Sequence, residues 1–239
     1  MSYSDTPLGP GAEFTGASEH LRVDAETGMR EFLTIQTSFH VERWDEEQTA
    51  WTLRHVQKDF GAPPWHDIPP RQFAYYGVKP YLVTHDENCN LVCIAGMVAL
   101  LGSIAGTSIT NKFSATQGRI GVGTSATAAA YANTTLTGDT GAASTTSYFK
   151  LVSGAPTIQT AASPATLTFV SIFGTAVANF VWAEFGTDNG NADSVSNATT
   201  GGIFFNHGVS AQGTKAAGQT WTATETISFG FPSGAGTVT

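Results

Sequence analysis

Two carboxylates, Glu184 and Glu225, are the residues of this sequence whose surroundings suit chemistry best. Glu184 lies in the apolar run Asn179-Phe-Val-Trp-Ala-Glu-Phe185, and Glu225 interrupts the apolar face of an alternating stretch, Thr220 to Phe231. A carboxylate turned into a core has a raised pKa and can act as an acid or a base. Two of them flanking a cleft would suit glycoside hydrolysis. Only five Asp and Glu follow residue 90, so no better pair is available. A lone acid on an apolar strand face is, however, more commonly held by a base or by a subunit contact. The sequence therefore predicts a packing protein and not an enzyme, with no catalytic residue, cofactor or metal.

The remaining motifs support that expectation. Gly118-Arg-Ile-Gly-Val-Gly123 is glycine-rich, but it lacks the spacing of a phosphate cradle and no helix pattern follows it. It reads as a strand with close backbone packing. The six histidines are scattered without metal-site spacing. Cys89 and Cys93 supply at most half a metal site, and both thiols are expected to stay reduced. A net charge of −8 and no basic cluster argue against nucleic acid. The longest apolar run, Leu91 to Ala105, falls short of the roughly 20 residues of a membrane span. The opening MSYSDTPLGPGAEF has neither the basic nor the apolar region of a signal peptide.

Charge divides the elements that would position these residues. Residues 1–90 hold 7 Lys and Arg and 14 Asp and Glu, against 4 and 5 in residues 91–239. A boundary is therefore expected near residue 88. Residues 1–28, with Pro7, Gly9, Pro10 and Gly11, predict an extended arm. Residues 29–87 predict a small β-hairpin attachment module. Its first strand, Glu31 to Trp44, alternates Leu33, Ile35, Thr37, Phe39 and Val41 with polar residues, and its second carries Trp51, Leu53 and His55. A proline-stiffened connector, residues 61–70, follows, and then a strand pair around Lys79-Pro80. A small charged module cannot bury all of its rings, so Phe14, Trp44, Trp65, Tyr75 and Tyr76 are the candidate interface residues.

Residues 88–239 predict a helix and a β domain. The helix, Leu91 to about Ile104, would be capped by Asn88 or Asn90 and buried on most sides. Strands are expected at 119–123, 146–152 and 220–231. Two more, within 166–173 and 177–185, should lie side by side in one sheet. The fold class is mainly β: an antiparallel β-sandwich or jelly-roll-like C-terminal domain with one buried helix. Its abundant small uncharged side chains predict a homo-oligomer.

Three blocks of this half resemble a family of tailed-bacteriophage virion proteins, many from actinobacterial phages. They are Ile120-Gly-Val-Gly-Thr-Ser-Ala-Thr-Ala-Ala-Ala130, Phe173-Gly-Thr-Ala-Val-Ala-Asn-Phe-Val-Trp-Ala-Glu-Phe-Gly186 and Gly213-Thr-Lys-Ala-Ala-Gly-Gln-Thr-Trp-Thr-Ala-Thr224. They fall in the family's order, within residues 88 to 230. Where the family often has Leu-Asn-Arg-Lys, this chain has Phe205-Asn-His-Gly208, so the basic pair has no counterpart. The resemblance implies a structural virion component assembled in the host cytoplasm. It would decorate the capsid or form a short head fibre, with other virion proteins as partners and a trimer favoured. The alternative is a minor tail or tail-tip protein, including a host-receptor-binding knob.

Overall fold

The computed structural model describes residues 19–24, 30–61, 67–87, 90–106, 112–141, 145–159, 164–197 and 202–230. In chain order the elements are β1 (Glu19–Asp24), β2 (Arg30–Trp44), α1 (Glu46–Phe60), α2 (Pro70–Tyr75), β3 (Leu82–Glu87), β4 (Asn90–Val92) and α3 (Ile94–Ile104). Then follow β5 (Arg119–Gly123), β6 (Ser147–Leu151), β7 (Thr157–Gln159), β8 (Ala165–Phe173), β9 (Val181–Asp188), β10 (Asn206–Thr214) and β11 (Thr220–Gly230). The strands form two antiparallel sheets. One runs β1-β2-β11-β8-β7, with β3 pairing β2 further along the same strand, and the other runs β4-β10-β9-β5-β6.

The alternation read from the sequence sets the inner faces. Phe39 and Val41 of β2, Phe169 and Phe173 of β8, and Trp221, Ala223 and Ile227 of β11 pack against Val122, Trp182 and Phe185 of the second sheet. Phe39 stacks on Phe185 with ring centroids 3.6 Å apart. Phe173, Trp182 and Trp221 meet edge to face at 4.7 and 4.9 Å. Rings of this size dominate core energetics, and together they join the two sheets into a β-sandwich.

Several expectations are corrected. The strands β8 and β9 are not neighbours: β8 pairs with β11 and β7, whereas β9 pairs with β10 and β5. An apolar strand face can be buried beside its neighbour or across the core, and periodicity does not distinguish these. The predicted hairpin over 31–55 is also replaced. β2 instead pairs β11 from Thr34↔Gly230 to Trp44↔Thr220. Residues 46–60 are the helix α1. What reads as a polar turn is a capping box, in which the Asp45 carboxylate accepts from Gln48 N and Asp45 N donates to Gln48 Oε1. Nor is there a strand pair about Lys79-Pro80: Pro70 opens α2, and β3 pairs with β2. The charge break near residue 88 coincides with no break in the fold, since β2 and β3 share a sheet with β8 and β11. Of the expected arm, residues 19–24 are β1, paired with β2, and residues 1–18 and 25–28 lie outside the described residues.

The predicted helix is present as α3, but it is not buried on most sides. Ile94, Val98, Leu101 and Ile104 are 60, 62, 56 and 76% exposed. The opposite face is seated tightly, with Ala99 buried and Gly96 against the Phe205 backbone, where a Cβ would overlap. Its N-cap is Cys93, whose side chain makes no capping hydrogen bond. Asn90, one of the expected caps, belongs to β4 and turns its side chain to Glu225.

Candidate functional site

The two carboxylates are not brought together. Residues three apart on a strand point to opposite faces, and this separates Glu184 from Thr187, the β9 residue that bonds Glu225. Glu225 occupies the space between the sheets, and Glu184 lies on the outer face of the second. Both are fully enclosed, so neither lines a cleft.

Glu184 is saturated with partners. It accepts from Thr137 N at 2.8 Å, Gly138 N at 2.7 Å and Ser125 N at 3.2 Å. His207 Nε2 sits 2.9 Å from its Oε2, and His207 Nδ1 lies 2.9 Å from Asn133 Oδ1. These contacts fasten the loop 124–140 over the outer face of the second sheet. They also explain the glycine-rich strand: a Cβ at Gly123 would overlap Glu184, and one at Gly121 would overlap the Phe149 ring. Nearby, Arg119 grips Asp188 through both Nε and Nη2, and donates to Asn197 Oδ1 at 3.2 Å and Ala192 O at 2.8 Å. Both members of this pair are buried.

Glu225 bridges the sheets. From β11 of the first sheet it accepts from Asn90 Nδ2 at 2.9 Å, from Asn206 Nδ2 and from Thr187 Oγ1, all on the second sheet. Burial pushes its pKa up to about 7, against the three donors, which favour the charged form. Asn90 Oδ1 is buried here without a hydrogen-bond partner, and a protonated Glu225 brings a donor into that cluster. A second polar bridge runs from Arg43 of β2 to Gln212 of β10 at 2.5 Å, and Gln212 donates to Asp86 of β3 at 2.5 Å.

Lys215 is a further buried titratable group that the sequence did not signal, and burial lowers its pKa to about 7. Its Nζ donates to Gly174 O at 2.8 Å, Val177 O at 3.1 Å and Asn179 Oδ1 at 2.7 Å, tying down the crossing from β8 to β9. Ala178, in that crossing, has φ of 53°, a left-handed conformation uncommon outside glycine. Among the described residues, no three His, Cys, Asp or Glu side chains gather as a metal site. Cys93 is buried, with Sγ 3.8 Å from Leu91 O. No helix among the described residues is long and apolar enough to cross a membrane.

The candidate interface residues separate. Trp44 is core: it is buried and stacks on Phe73 of α2 at 4.3 Å, within a small cluster completed by Ile68. Phe14 and Trp65 lie outside the described residues. Tyr75 and Tyr76 do reach the surface, in company that the sequence reading assigned to a hairpin. Trp51 and His55 are one turn apart on α1 and stack at 3.7 Å, and Tyr76 meets both rings at 6.0 and 5.7 Å. Tyr75 continues the row at 4.9 Å from Tyr76, and Phe60 closes it at 6.1 Å from Tyr75. Tyr75 is 69% exposed and Phe60 60%. Tyr76 Oη donates to Asp59 at 2.8 Å, which fixes α2 against α1. The five rings form an aromatic row on the outside of the helical pair.

No protein-family model matches the chain, no curated protein matches it, and no solved structure matches it.

Proposed function

We propose that this chain is a non-enzymatic structural protein of a tailed-phage virion, of the capsid-decoration or head-fibre type. It is held to the particle through its N-terminal part and works as a homo-oligomer. One observation carries the binding part of the reading: the surface aromatic row of Trp51, His55, Tyr76, Tyr75 and Phe60 on α1 and α2, in which Trp51, Tyr75 and Phe60 are exposed; the virion part rests on the three sequence blocks that resemble that family. Tyrosine and tryptophan present large, rigid contact area at low entropic cost and are enriched among interface hot spots. The enclosure of both candidate acids supports a binding role over a catalytic one.

The test is to label the protein on intact virions and locate it by electron microscopy, comparing wild type with a Trp51→Ala/Tyr75→Ala double variant. Label on the head, lost in the variant while the purified variant keeps its melting temperature, is the expected result. Label at the tail tip would replace the head assignment with the tail one. Absence from particles would overturn the reading.

A further inference from the structure

We propose that the segment 124–140 is a pH-operated strap, locked over the outer face of the second sheet by one proton that His207 and Glu184 share. Loss of that proton releases the strap and bares the apolar patch beneath it.

The proton follows from which atoms can donate. Asn133 Oδ1 accepts from Ala130 N at 2.6 Å, and a backbone N–H can only donate, so this atom is the amide oxygen. His207 Nδ1, 2.9 Å from the same oxygen, must therefore carry a hydrogen. At the other end of the ring, Nε2 faces Glu184 Oε2 at 2.9 Å, and Thr137 N already donates to that oxygen at 2.8 Å. Ser125 N and Gly138 N donate to Oε1. With the ring's hydrogen placed on Nδ1, lone pairs would face each other between Nε2 and Oε2 unless one further proton lies there. The pair is then neutral as a unit, whether written as imidazolium and carboxylate or as imidazole and carboxylic acid. Both side chains are fully enclosed.

The strap hangs on this contact. Ser125, Asn133, Thr137 and Gly138 all belong to it, and its Leu136 packs with Cys93, Phe149 and Phe204. Without the shared proton the enclosure would hold a net negative charge, which is costly to bury unpaired. Apart from His207, the basic side chains on the strands of the second sheet are Arg119 and Lys150, engaged by Asp188 and by Asp67 and Asp193. The other titratable groups on the elements packed about the ring are Asp139 and Tyr131 of the strap, Tyr148 of β6 and Cys93 before α3. Asp139 accepts from Thr135 Oγ1 at 2.6 Å and Asn197 N at 2.9 Å. Opening returns His207 and Glu184 to water, where a carboxylate is ionised and a histidine gives up its proton at about pH 6.5. Above about pH 6.5 closing takes up a proton, so the ratio of closed to open strap falls about tenfold per pH unit. From about pH 5 to 6.5 the opened pair carries the same proton, and closing is independent of pH.

Hydrogen exchange of the full chain tests the proposal at Thr137 and Gly138, whose N–H groups donate to Glu184, and at Ile94, whose N–H donates to Tyr131 O of the strap. After correction for the intrinsic effect of pH on exchange, protection should be level from about pH 5 to 6.5 and fall about 100-fold by about pH 8.5. In His207→Gln, whose side chain does not titrate, protection should be lower and level throughout. Protection that stays level in wild type, or that falls as steeply in His207→Gln, overturns the proposal. A second measurement on wild type decides the matter even where His207→Gln does not fold: nitrogen NMR of labelled histidines should show a hydrogen on His207 Nδ1 at neutral pH. A bare Nδ1 overturns the shared proton and the strap's dependence on it.

Discussion

The Glu225 bridge makes a quantitative prediction about pH. Its carboxyl has a pKa near 7 in the folded protein against 4.5 as the ordinary reference. Between these values the folded chain holds a proton that the unfolded chain releases. Stability therefore falls as pH rises through this window, is fully present below about pH 4.5 and reaches its low plateau above about pH 7. A difference of 2 to 3 pKa units corresponds to about 3 kcal/mol. Burying one Phe side chain contributes about 1.5–3 kcal/mol, so the aromatic core carries this cost without difficulty. Glu225→Gln keeps the shape and removes the charge. Its amide oxygen can accept from Asn90 and Asn206, and its nitrogen can donate to Thr187 Oγ1 or to the unpartnered Asn90 Oδ1. The variant should be more stable than wild type at pH 8 by up to about 3 kcal/mol, roughly 6–12 °C in melting temperature for a chain of this size. The two should converge near pH 5. Urea unfolding of both proteins from pH 5 to 8.5 measures the difference, in which all other titrating groups cancel. A difference that stays constant across that range, or widens toward pH 5, would refute the reasoning.

Three further outcomes are expected. Asp188→Asn should lower stability by about 3–5 kcal/mol in urea unfolding, because it leaves the buried Arg119 without its counter-charge. Gly96→Ala should cost about 1–3 kcal/mol by forcing α3 away from Phe205, whereas Val98→Ala on the exposed side should stay within about 0.5 kcal/mol; thermal melts separate the two. Asp45→Ala should cost about 1 kcal/mol through loss of the α1 cap, read as a lower urea midpoint with unchanged slope.

How legible the molecule was depends on which physical signal each residue carries. Alternation located β8 and β11 and assigned Trp221, Ala223, Ile227 and Phe229 to one face, because a half-buried strand has period two. It also marked Glu225 as an intruder. The same signal misled at α1. There the buried positions are Thr49, Thr52 and Val56, spaced as in a helix but mostly hydroxylated, while Trp51 and Leu53 supplied a strand-like alternation. The apolar run of α3 correctly announced a helix, and burial was inferred from hydrophobicity alone, which does not say what will cover a face. The polar clusters were out of reach. Arg119 and Asp188 are 69 residues apart, and His207 and Asn133 are 74 apart, so nothing local links them. The aromatic row was half visible: Tyr75 and Tyr76 stood out as surplus rings, but their neighbours follow only from α1 being helical.

The place of β11 has a consequence for how the chain reaches this state. It follows every other described strand in sequence, yet in the first sheet it lies between β2 and β8 and pairs with both. Until residues 220–230 leave the ribosome, β2 and β8 each present a long unpaired edge, and the aromatic face they share has nothing to hold it in register. The β2–β11 contacts join residues nearly two hundred positions apart, a separation that makes closure slow. During synthesis the nascent chain is therefore an open sheet awaiting its central strand, and such edges recruit strands from other chains. Production at low temperature, with elongation slowed relative to chaperone binding, should raise the soluble fraction more than any substitution on the finished surface.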